Sequence, residues 1–131
     1  MKIKENDILS NSEIFILEKG EPTKKKIEIF FRNKKVILFG VPGAYTSVCS
    51  KKHLPSYINM YEKFKEKGID HIICVSVNDP FVMNAWGEEH KVNNKVIMMA
   101  DPFLNFTKDI GADVNKSGRG LGIRSNRYVM Y

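Results

Sequence analysis

The chain has 131 residues, 43% hydrophobic and 27% charged, with 21 basic against 15 acidic side chains for a formal net charge of +6. That length leaves room for one domain and no second, and the composition excludes a disordered polyelectrolyte. No apolar run approaches the ~18 residues of a membrane span, no apolar stretch of signal-peptide type follows Met1, and two cysteines with three histidines are too few for a disulfide framework or a conventional zinc site.

These exclusions make a reducing, cytoplasmic setting the expectation, with no membrane partner. The basic residues are spread along the chain, and Lys24-Lys25-Lys26 is the only run of three. It reads as a solvated turn. No basic stripe interleaved with aromatics is present, so nucleic acid is not expected as a partner.

The strands legible in the sequence are near-continuous apolar runs. Residues 35–41, KVILFGV, form the first, bounded by charges before and Pro-Gly after. Residues 71–77, HIICVSV, form the second and end in Asn78-Asp79-Pro80. Residues 96–100, VIMMA, are the third, and RYVMY at 127–131 is the fourth. Such runs suit strands covered on both faces.

Helical patterns lie between them. Leu54, Tyr57, Ile58, Tyr61 and Phe64 trace one face of a helix predicted over residues 50–67. Gly68 ends it, and Pro55 is expected to kink it. Asn78 or Asp79 starts a second helix, with Pro80 in its first turn, running to about Lys91. A shorter one is predicted over residues 102–110, closed by Gly111. The alternation of strand and helix predicts an α/β sandwich with parallel central strands and a final antiparallel one.

The informative stretch is residues 39–49, FGVPGAYTSVC. It leaves a buried strand and enters a helix, so Cys49 falls in the first helical turn, with Thr46 or Ser47 as cap. Unpaired N–H groups and the positive end of the helix dipole there lower a thiol pKa. The loop lies beyond the carboxyl end of a strand, where open α/β sheets bind ligands. An inert buried cysteine is the alternative.

Residues 42–49, PGAYTSVC, resemble the P-x-x-x-T-x-x-C active-site motif of peroxiredoxins. The longer run 39–57, FGVPGAYTSVCSKKHLPSY, is similar to the peroxiredoxin-5 type. The likeness continues in VSVNDPFVMNAWG at 75–87, ADP at 100–102 and GIRSNRY at 122–128.

The resemblance implies a single thioredoxin-like domain with a mixed central sheet flanked by helices, and a thiol peroxidase. It places the peroxidatic cysteine at Cys49, with Thr46, Pro42 and Arg127 around it. The Thr46 hydroxyl can donate to or accept from thiolate and peroxide. Arg127 is a permanent cation able to favour thiolate and the departing oxygen. Pro42 has no N–H to compete for the sulfur's hydrogen bonds. Arg124, three residues away, is the rival cation. His53 and Trp86 read as structural, and Cys74 as a core residue, so an external thiol resolves the sulfenic acid.

The implied partners are a peroxide, a reductant (glutathione with glutaredoxin, or thioredoxin) and a second copy of the chain in a homodimer rimmed by Tyr45 and Phe81. No metal, flavin or haem cofactor is implied. A sensing or interaction module with negligible turnover is the alternative function. Members of the family continue past the strand at 127–131 through a further strand and a closing helix. The resemblance therefore also implies a C-terminally incomplete domain with Arg127 on its least supported strand.

Overall fold

A computed structural model describes residues 1–46 and 52–131. Its main sheet has six strands in the order β2-β1-β5-β4-β3-β8. The centre is β3 (Val36–Gly40), β4 (His71–Ser76) and β5 (Ile97–Ala100). The three run parallel, with Phe39 beside Cys74 and Cys74 beside Met98. All five residues of β3 are buried, as a strand covered on both faces requires.

The last strand, β8 (Tyr128–Met130), lies antiparallel to β3 with Gly40 opposite Tyr128. The mixed sheet and antiparallel finish agree with the sequence expectation. The Tyr128 ring rests on Gly40 so closely that a Cβ there would overlap it. Burial pushes the Tyr128 phenol far above its usual range, with Asp101 and Cys74 adding to the shift.

The other end of the sheet departs from expectation. Lys24, Lys25 and Lys26 belong to a strand, β2 (Glu21–Lys26), paired antiparallel with β1 (Glu13–Glu18). The turn is Lys19-Gly20, where φ is +53° and +80°. Two left-handed residues between paired strands match the twist that hairpins need. The lysines are solvated because β2 is an edge strand. Lys24 and Lys26 lie 3.6 and 3.5 Å from Glu13, and Lys25 lies 3.0 Å from Glu18. Cationic side chains on an edge discourage pairing with another chain.

One face of the sheet carries Ile37, Phe39, Val41, Ile72 and Cys74, packed with Leu54, Met83 and Trp86. The other carries Val36, Leu38, Ile73, Val75 and Met99, packed with Ile27, Phe106 and Ile110. A short helix, α1 (Glu28–Phe31), lies between β2 and β3.

The helix predicted over 50–67 is two segments in its described part, α2 (Leu54–Asn59) and α3 (Tyr61–Glu66). The break is at Met60, with φ −94° and ψ 2°, and not at Pro55. Pro55 sits in the first turn of α2, where its missing N–H costs nothing. Gly68, at φ +86°, closes α3 as expected, with the Ile69 N–H donating to the Phe64 carbonyl at 3.0 Å.

The next helix, α4 (Pro80–Glu89), starts at Asp79, whose Oδ1 accepts the Val82 N–H at 2.9 Å. It ends two residues short of Lys91, which is left-handed at φ +56°. α5 (Asn105–Asp109) begins later than expected because Leu104 is left-handed at φ +66°. A second, small sheet pairs β6 (Asp113–Asn115) with β7 (Ile123–Ser125), a hairpin absent from the sequence expectation.

Candidate active site

The loop at 42–46 leaves the carboxyl end of β3 beside the carboxyl end of β4. The Val41 N–H still pairs with the Val75 carbonyl at 3.1 Å, which carries the parallel ladder one residue past β3. Pro42 and Gly43 are buried, and Ala44 and Thr46 are half-buried.

Side chains from elsewhere hold this loop. The Ala44 N–H donates to Asn78 Oδ1 at 2.9 Å, and the same oxygen accepts from Ser76 Oγ at 2.6 Å. Arg124, on β7, donates from Nη1 to the Pro42 carbonyl at 3.2 Å and from Nε to the Leu121 carbonyl at 2.9 Å. A Cβ on Gly43 would lie 2.6 Å from Arg124 Nη1, so a glycine is what lets the guanidinium lie against the loop.

Thr46 closes the loop on itself, its hydroxyl donating to the Gly43 carbonyl at 2.8 Å. That bond uses the hydroxyl proton, so toward any other partner the oxygen acts as an acceptor. The other candidate cap, Ser47, lies outside the described residues, as do Val48, Cys49, Ser50 and Lys51.

Tyr45 adopts φ +65°, an uncommon conformation for an aromatic residue. Its ring lies 6.4 Å from that of Trp86, which is fully buried in α4. Desolvation raises the Tyr45 phenol, and the neighbouring Glu89 carboxylate raises it further. Trp86 is thus a packing residue that also borders the loop.

Beyond the undescribed segment, His53 begins α2. Its ring stands edge-on to Phe39 and Tyr57, with centroids 6.1 and 6.3 Å away. Desolvation lowers its pKa, and the positive charge of Arg127 lowers it further. Arg127 is exposed, immediately before β8, within electrostatic reach of the start of α2.

The structure therefore joins Pro42, Gly43, Thr46 and Arg124 by direct contact, while Arg127 acts on His53 only through its charge. Asn78, read from the sequence as a helix start, instead ties the loop to β4. A polar residue directly after a buried strand, beside a loop, was the available signal. Cys74 is fully buried in the central strand, as expected of a core residue. A cavity of about 1150 Å³ opens among the N-terminal residues, Val36, Leu38 and Met130. Pro42, Thr46, Arg124 and Arg127 do not line it.

A family profile described as Redoxin matches residues 6–130, which defines the class of this fold and site. Peroxiredoxin-2C of Oryza sativa subsp. japonica is 50% identical over 97 residues, 74% of this chain. The match spans only 60% of that relative's own length. Among solved structures, reduced Prx3 of Vibrio vulnificus in complex with H2O2 is 42% identical with a TM-score of 0.93, covering 98% of this chain and 80% of that one. Peroxiredoxin 5 from Alvinella pompejana is 38% identical with a TM-score of 0.89, covering 98% and 81%. The chain belongs to the peroxiredoxins of the Redoxin family and has the thioredoxin-like fold expected from its sequence.

Proposed function

We propose that the protein is a thiol-dependent peroxidase with Cys49 as the peroxidatic residue. The observation that carries this reading is the loop at 42–46. It is fixed at the carboxyl end of β3 by Arg124 and Asn78, with Thr46 three residues before Cys49. The Vibrio relative, which holds hydrogen peroxide, supports the substrate class.

In the proposed reaction the Cys49 thiolate attacks one peroxide oxygen. A sulfur–oxygen bond forms, the O–O bond breaks, and the departing oxygen takes a proton to leave as water or alcohol. Cys49 becomes a sulfenic acid. Glutathione then condenses with it to a mixed disulfide and releases water. A second thiol, delivered by glutathione with glutaredoxin or by thioredoxin, restores the thiol.

Arg127 supplies positive charge for thiolate and leaving oxygen, and Thr46 Oγ1 accepts from the peroxide. Pro42 lines the site without an N–H of its own. Burial of Cys74 favours an external resolving thiol over an internal disulfide. Such thiols are available in the cytoplasm, where we place the activity. The exposed Tyr45 and Phe81, with 51% and 55% of their surface free, support a homodimer packed near these loops.

Peroxide consumption in steady state, with glutathione–glutaredoxin and separately with thioredoxin, tests the reading. Sustained turnover with either supports it. One equivalent of peroxide consumed and no more would favour a sensing module.

A further inference from the structure

Arg124 and Arg127 have different surroundings, although both are guanidinium groups near one loop. Arg127 is exposed, and its charge is felt at His53. Arg124 is half-buried, and two of its nitrogens are committed to backbone carbonyls. The Leu121 bond anchors the guanidinium to its own hairpin. The Pro42 bond crosses to a loop 82 residues away in sequence.

Around that contact, two consecutive peptide groups are held, from outside by Arg124 and Asn78 and from within the loop by Thr46. Arg124 takes the Pro42 carbonyl, Thr46 takes the Gly43 carbonyl, and Asn78 takes the Ala44 N–H. Gly43 supplies the space in which Arg124 lies.

We propose that Arg124 is a positioning residue. It clamps the Pro42 carbonyl and so fixes the loop that carries Thr46. The catalytic cation is Arg127. The inference rests on the peroxidase reading for its kinetic consequence, but the clamp itself can be read without turnover. A guanidinium spent on two carbonyls has a fixed plane, and its hydrogen bonds act through backbone geometry rather than at the reacting oxygen.

The test uses Arg124→Met, Arg124→Lys, Gly43→Ala and Arg127→Met in the full chain. Arg124→Met removes clamp and charge together. Gly43→Ala keeps the charge and displaces the guanidinium. Arg124→Lys restores a donor of similar reach.

We expect kcat/KM to fall about tenfold in both Arg124→Met and Gly43→Ala, the equivalent of about one hydrogen bond. Arg124→Lys should recover most of it. Amide exchange at Ala44 and Thr46 should quicken about tenfold in the same two variants and not in Arg127→Met, since opening the clamp costs about one hydrogen bond. The pH midpoint of Cys49 alkylation should rise in Arg127→Met and stay near wild type in Gly43→Ala.

Wild-type amide exchange in Arg124→Met would overturn the clamp. A raised alkylation midpoint in Arg124→Met with full activity in Gly43→Ala would make Arg124 a catalytic cation instead. Absence of peroxidase activity in the wild type would refute the functional reading, while the exchange measurement would still decide the clamp. Melting curves on each variant separate a loosened loop from an unfolded chain.

Discussion

The junctions that leave β3 and β5 are built in opposite ways. After β5 the chain turns at once. Asp101, 1% exposed, accepts the Phe106 N–H at 3.2 Å, the Thr107 N–H at 2.7 Å and the Thr107 hydroxyl at 2.6 Å. Every group in that knot lies within six residues. After β3 the loop at 42–46 is closed at Thr46, whose hydroxyl and N–H donate to the Gly43 carbonyl at 2.8 and 3.4 Å, and among the described residues it is also held from outside by Asn78 and Arg124.

A junction closed by its own aspartate stabilises α5 and spends that carboxylate on its own chain. A junction held from outside can present its atoms to a ligand, and its geometry depends on three parts of the chain. Pro42 and Thr46, two of the residues proposed for the peroxidase chemistry, fall in the second kind.

Breaking the self-contained junction should give the largest loss of stability. Asp101→Ala strands two buried N–H groups and a hydroxyl, a loss of about 3 kcal/mol at ~1 kcal/mol each. Thermal unfolding should show it, and the peroxide rate per folded molecule should stay near wild type.

Gly40→Ala comes next, at about 2 kcal/mol, because its Cβ meets the Tyr128 ring and forces β8 away from β3. This variant should lose both stability and activity, since Arg127 immediately precedes β8.

Asp79→Ala sharpens the contrast from a third junction. It removes one N-cap, a loss of about 1 kcal/mol and a few degrees in Tm, with little change in rate.

The smallest effect is on pH dependence. His53 and His71 both have pKa values lowered in the folded chain by desolvation from 6.5. The unfolded chain then binds more protons just below that pH, so stability falls as pH drops through about 6.5. Replacing both with Gln should flatten the Tm profile between pH 7.5 and 5.5.

What the sequence revealed follows the same division. Apolar runs such as 35–41 and 71–77 were legible because a strand buried on both faces has no other composition. Hairpin β1–β2 was not, because β2 reads EPTKKK and an edge strand needs few apolar residues. The three-residue strands β6 and β7 are too short to show a period.

Thr46 was legible as a candidate site residue, but the Gly43 carbonyl that accepts its hydrogen bond was not. Arg124 was legible only as a rival cation. Its partner is a backbone oxygen, which every residue carries, so no pattern of side chains announces the contact. Asn78 was hidden for a similar reason, since its helix-start appearance was sufficient to account for it.

The central claim is that Cys49 carries the chemistry. Rapid mixing of the reduced protein with one equivalent of hydrogen peroxide, followed by trapping and mass analysis, tests it directly. The account predicts one added oxygen on Cys49, none on Cys74, and no fast reaction in Cys49→Ser while its melting curve stays near wild type. A fast reaction in Cys49→Ser, or oxygen found first on Cys74, would contradict it.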